Sequence, residues 1–135
     1  MSDYKKPLPD ITPESKPFWD GCRRHQFLIQ WCRDCRSFQH YPRGVCATCW
    51  SDNLEWRQSS GRGKVYTFTV TYRTQARGFK EDLPYIPAYV ELEEGVQVLT
   101  NLVGCAPTDV RIGMPVVVTF EDVNDEVSMP RFAPA

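Results

Sequence analysis

Cys32, Cys35, Cys46 and Cys49 form two CxxC pairs within the stretch CRDCRSFQHYPRGVCATC, with ten residues between them. This spacing constrains the chain more than any other feature. A two-residue spacer lets the backbone turn so that both sulfurs of a pair face one point. The second pair then completes a four-thiolate cage for an ion that prefers four soft ligands.

Zinc is the default occupant, because it has no redox chemistry and four thiolates leave no position for substrate or water. Such a site folds the chain and does not catalyse. Iron also fits four thiolates and would imply electron transfer, so a rubredoxin-like electron carrier stays open. The position after the second cysteine of each pair often takes positive φ and favours Gly, yet here it holds Arg36 and Trp50. Each departure costs on the order of 1–3 kcal/mol if that backbone is required. Structural zinc supplies on the order of 10–16 kcal/mol in small peptides, so the site tolerates the strain.

A chain of 135 residues suffices for one ordinary domain or two very small ones sharing a core. Its 16 basic and 17 acidic residues leave a net charge of −1, which argues against a general electrostatic grip on nucleic acid. With four of six cysteines in the cage, Cys22 and Cys105 stand apart, and reduced thiols fit a cytoplasmic protein. No apolar run suggests a signal peptide or a membrane span.

Along the chain, residues 1–25 read as a polar arm followed by a helix. Thr12 is the expected cap, Pro13 the first helical position, and the end falls near Arg24. Phe18, Trp19 and Cys22 share one face, which either covers the metal module or docks on another protein. Residues 26–60 form the ribbon, with strands at His25–Trp31 and Ser37–Tyr41. Trp31, Phe38, Tyr41, Trp50 and Trp56 are its expected core. His25 and His40 are not needed as ligands, since four cysteines fill the shell.

The SSGRG segment at 59–63 marks a boundary, and residues 61–135 read as a small barrel. Lys64–Tyr72 alternates, which predicts Tyr66, Phe68, Val70 and Tyr72 on one face. Arg73–Pro87 is a long loop. Ala88–Leu92 and Val96–Val103 form a hairpin across Glu93–Gly95. Pro107–Met114 is a turn or short helix, and strands follow at Pro115–Val123 and Val127–Phe132. The acidic residues at 91, 93, 94 and 121–126 read as solvated strand faces and a turn. Together these elements predict a mostly β protein: an N-terminal helix, a rubredoxin-like zinc ribbon and a C-terminal antiparallel OB-fold barrel.

With these segments in hand, the chain resembles the zinc-ribbon plus OB-fold family of acyl-CoA-associated proteins, long catalogued as a domain of unknown function. The resemblance is carried by PFWDG, the CxxC pairs, SGRGKVYTFTV, AYVELEEGVQVLTNLVGC, RIGMPVVVTFEDV and MPRFAPA. It implies a small subunit without catalytic residues, assembled with a thiolase-superfamily enzyme. Such partners include acetoacetyl-CoA thiolase, steroid side-chain aldolases and benzoylsuccinyl-CoA thiolase. The residues agree with this: neither Cys22 nor Cys105 sits in a nucleophile signature, and neither histidine falls in a recognisable motif.

Three classes follow: a non-catalytic thiolase or aldolase subunit that shares an acyl-CoA ligand with its partner, a nucleic-acid-binding ribbon and barrel, and the electron carrier. For the first, Lys64, Arg73, Arg77 and Lys80 are the candidate counter-groups to the CoA phosphates. Phe79, Tyr85 and Ile86 are candidates for an acyl tunnel or for anchors in the partner.

Overall fold

The computed structural model describes residues 4–135, so Met1–Asp3 of the expected arm lie outside the described residues. One helix and eight strands follow in chain order: α1 (Lys16–Arg23), β1 (Leu28–Cys32), β2 (Ser37–Gln39), β3 (Leu54–Gln58), β4 (Arg62–Phe68), β5 (Ile86–Leu92), β6 (Gln97–Leu102), β7 (Pro115–Asp122) and β8 (Ser128–Pro134).

The helix starts later than Thr12 suggests. Thr12 instead makes a local turn, its hydroxyl accepting from the Ser15 N–H and its carbonyl from the Ser15 and Lys16 N–H groups. This leaves Pro17 in the first turn of α1, where its missing N–H costs nothing. At the other end the Gln26 N–H reaches the Gly21 carbonyl and the His25 N–H the Cys22 carbonyl. His25 takes the left-handed conformation that this helix stop requires, with φ 59°. Its aromatic face turns inward. Phe18 meets Phe27 edge-on at 5.4 Å, and Phe27 in turn meets Phe132 of the barrel at 6.1 Å. The helix is therefore the wedge between the two sheets, and Gly21 is small because a Cβ there would sit 2.7 Å from Leu28.

The ribbon is a three-stranded antiparallel sheet in the order β2-β1-β3. β1 begins at Leu28, β2 ends at Gln39, and β3, which pairs Leu28–Cys32 with Leu54–Gln58, has no counterpart in the sequence expectation. Buried Gln30 holds the following loop: its amide accepts from Gln39 Nε2 and the Arg43 N–H and donates to the Arg43 carbonyl. Trp31 and Phe38 pack at 4.5 Å, with the Arg57 guanidinium 4.4 Å from the Trp31 ring. Trp56 packs against the main core. Trp50 does not join them and is 82% exposed.

The second half closes into a barrel in the order β4-β5-β6-β8-β7, with β7 returning to β4. This is the OB-fold order. Its seam differs from the expected all-antiparallel barrel, because β6 and β8 run parallel and pair only at Leu102 and Phe132. Beyond that rung the two strands separate.

A bulge interrupts β4 between Val65 and Thr67. It splits the expected face: Val65 is buried and Phe68 packs against the core, while Tyr66 and Tyr72 point outward. β5 starts at Ile86, so Pro87 lies inside a strand rather than ending the loop. Its carbonyl still accepts from the Thr69 N–H, and the reciprocal bond that proline cannot donate falls just past the end of β4 at Phe68, so no rung within β4 is lost. Ile86 is 2% exposed and belongs to the core, so it has no free surface with which to anchor in a partner.

Candidate metal centre and barrel surface

The four cage sulfurs converge. All lie within 4.8 Å of one another, with Cys32 to Cys49 and Cys35 to Cys46 each at 3.6 Å. A tetrahedral zinc with bonds of about 2.3 Å needs sulfur separations near 3.8 Å, so the residues present fit that ion. Backbone N–H groups aim at the sulfurs, Cys35 N–H at Cys32 Sγ (3.5 Å) and Thr48 N–H at Cys46 Sγ (3.3 Å). Donors at Cys49 and Thr48 pull the Cys46 thiol down to about 6. Cys49 accepts from the Ser51 N–H, yet its desolvation and the neighbouring sulfurs push it up to about 12. Four thiolates this close repel, and a divalent cation is what allows all of them to ionise together.

Both knuckles adopt the expected backbone, with Arg36 at φ 58° and Trp50 at φ 67°. Neither histidine approaches the cage. His25 stacks on Phe120 at 5.1 Å and shares its Nε2 with Asp122 Oδ1 at 2.8 Å. Ser128 also bonds that carboxylate, and the two partners hold Asp122 below the usual carboxylate range. His40 packs among Phe18, Phe27 and Tyr41, and burial pushes its imidazole down to about 4. Cys22 is fully buried and its thiol is pushed up to about 12, which makes it inert. Cys105 is also shifted upward, by burial and then by Asp109.

The four candidate phosphate ligands do not form one cluster. Lys64 pairs with Glu91 at 3.6 Å on the far side of the Tyr66 bulge. Arg73 follows the Thr71–Tyr85 bridge. Arg77 and Lys80 do come together, lining a shallow depression of about 300 Å³ with Lys5 from the arm. The arm is clasped to this loop by Lys5–Glu81 (3.1 Å) and Lys6–Asp82 (2.7 Å). Gly78, at φ 83°, leaves room for it, since a Cβ there would meet the Lys5 backbone at 2.6 Å.

Sequence reasoning missed two positions that join the modules. Glu94 is half-buried rather than free on a solvated face: its carboxylate accepts from Ser59 Oγ (2.8 Å) and the Ser60 N–H (2.9 Å), which ties the linker to the β5–β6 turn. Tyr41 leaves the ribbon to accept the Leu99 N–H of β6. Neither contact has a local pattern that would reveal it.

Two family profiles cover this architecture: "ChsH2, rubredoxin-like zinc ribbon domain" matches residues 19–55, and "ChsH2, C-terminal OB-fold domain" matches residues 56–121. The chain belongs to the ChsH2 family. Among curated relatives, the benzoylsuccinyl-CoA thiolase subunit BbsA of Thauera aromatica is 32% identical over 138 residues, covering 93% of this chain and 90% of its own. A probable enoyl-CoA hydratase alpha subunit of Thermomonospora curvata is 34% identical over 130 residues, 96% of this chain but 40% of that protein. This ChsH2-family chain therefore spans well under half of the hydratase subunit it matches. A solved structure described as the Ltp2-ChsH2(DUF35) aldolase superposes with a TM-score of 0.84 at 33% identity, covering 94% of this chain and 98% of that one. Among the described residues no helix is long and apolar enough to cross a membrane.

Proposed function

We propose that this ChsH2-family chain is a non-catalytic, zinc-binding subunit of a cytoplasmic thiolase or aldolase complex, where it supports acyl-CoA binding and turnover. The observation that carries this reading is the closed four-sulfur cage in a chain whose other thiols are shifted toward the inert form. A centre with no open position braces a fold, and the nucleophile then comes from a partner. Relatives that share the whole architecture are named as a subunit of a thiolase and as part of an aldolase.

In this reading the loop of residues 69–85 meets the CoA phosphates through Arg77 and Lys80, with Arg73 and Lys64 contributing from further away. Phe79 and Tyr85, paired at 5.3 Å, offer the apolar surface beside them. Co-expression with thiolase-superfamily subunits of the same host, followed by light scattering and acyl-CoA turnover assays, tests it. The isolated chain should be inactive and the complex active. Arg77→Gln with Lys80→Gln should raise the Michaelis constant for acyl-CoA in a salt-sensitive way. Turnover by the chain alone, or failure to assemble with any such subunit, overturns the reading.

A second reading rests on Tyr66, Tyr72 and Tyr89, which stand exposed on the outer faces of β4 and β5 and the segment after β4. OB-folds stack nucleic-acid bases on such surfaces. The net charge of −1 opposes it, and a salt titration with oligothymidine decides it.

A further inference from the structure

Where β6 and β8 part beyond the Leu102–Phe132 rung, the gap opens into a groove of about 580 Å³ under the N-terminal arm. That is within the usual range for a small-molecule site. Its walls come from separate parts of the chain, with Phe18 and Trp19 from the helix, Tyr41 from the ribbon, Phe79 from the loop and Leu99 from β6. Such walls suit a flat apolar body. Asp10 supplies a carboxylate at the rim, and two cations line the same groove, Lys6 and Arg131.

The two cations differ in their satisfaction. Lys6 has a close carboxylate in Asp82 at 2.7 Å and sits over the Tyr4 and Phe79 rings. The Arg131 side chain is 13% exposed, yet its contacts are all long ones: hydrogen bonds of 3.3 Å to the Pro130 carbonyl and to the Tyr4 hydroxyl, and an ion pair with Glu121 at 3.6 Å. Glu121 is itself half exposed. A guanidinium taken this far out of water needs close acceptors, and its planar fork matches a carboxylate through two parallel N–H···O bonds.

We infer that this groove is a binding site for a small aryl or alicyclic carboxylate, with its apolar body between the helix, Tyr41 and Phe79 and its acid group on Arg131. The site belongs to this chain alone. It needs no enzyme partner, and although it shares Phe79 with the loop it uses neither Arg77 nor Lys80, so its failure and that of the complex are separable.

The test uses the full zinc-loaded chain and two probes of one shape, 2-naphthoate and 2-naphthamide, titrated by calorimetry and by amide NMR shifts. Naphthoate should bind at least tenfold more tightly than the amide, with shifts centred on Leu99, Phe79 and Arg131. Arg131→Gln should abolish that preference by weakening naphthoate alone. Equal affinity of acid and amide, shifts centred elsewhere, or a preference that survives Arg131→Gln overturns the assignment. If the variant does not fold, the acid-to-amide ratio and the shift map of the wild-type chain decide the matter.

Discussion

The backbone N–H of Leu99 donates to the hydroxyl of Tyr41 at 2.8 Å, which joins the loop after β2 to the edge of β6 that faces away from β5 and has no strand beside it. An unpaired strand donor would otherwise depend on water. Tyr41→Phe should therefore cost about 1 kcal/mol and speed exchange of the Leu99 amide with little effect on neighbouring β5 amides. Native-state hydrogen exchange measures both, and unchanged protection at Leu99 would show that the bond does not matter.

Metal removal should act on the ribbon first. Residues 26–58 are too few to build a core without the cage, and Gln30 rather than an apolar residue fills the space behind β1. Chelation or Cys46→Ser should collapse the chemical-shift dispersion of β1 to β3, with zinc content followed by elemental analysis. A fully dispersed ribbon after verified metal loss contradicts the assignment.

The His40 imidazole is held down to about 4 against an ordinary value of 6.5. The fold thus favours the neutral ring, and the unfolded chain binds the proton more readily. The contribution of neutral His40 is complete above about pH 6.5 and is lost as pH falls toward 4, on the order of 1–3 kcal/mol. Urea midpoints between pH 4.5 and 7, with zinc retention checked at each point, should fall more steeply for the wild-type chain than for His40→Phe. Parallel profiles would remove His40 as the source.

Gly63 lies where β4 and β5 approach closely: a Cβ there would meet the Glu91 carbonyl oxygen at 2.4 Å and Val90 at 2.9 Å. Backbone cannot swing aside as a side-chain tip can. Gly63→Ala should cost about 1–3 kcal/mol and lower the melting temperature by several degrees. Gly95→Ala is the informative contrast, because nothing lies within 4 Å of its Cβ and only its φ of 91° opposes the change.

Features written locally were readable from the chain. The CxxC spacing predicts the cage, and the residues after Cys35 and Cys49 take the positive φ expected of them. Alternation finds β4 but not its bulge, since one extra residue leaves the pattern of side chains intact while swapping which of them face inward. β3 is not legible because LEWRQ carries two charges and no fully buried side chain, and its antiparallel partner β1 lies well back in the chain, Leu54 pairing with Cys32 and Gln58 with Leu28. The arm, the helix and the separated strands make a groove from segments more than 100 residues apart, Tyr4 meeting Arg131 across 127 positions. No window of sequence contains that juxtaposition.

His25, Arg36 and Trp50 share the left-handed backbone, but they are not equally replaceable. At His25 the ring gives something back, through Phe120 and Asp122. Among the described residues, Arg36 and Trp50 have no ring contact or side-chain hydrogen bond to offset the backbone cost, and glycine would relieve it by about 1 kcal/mol each. The ribbon therefore holds an unspent reserve of thermal tolerance, open to two point changes that leave the cage untouched. Whether a Trp50→Gly chain still performs its task then separates what the knuckle needs from what the outside of the molecule uses, because the same change removes the most exposed indole the chain presents.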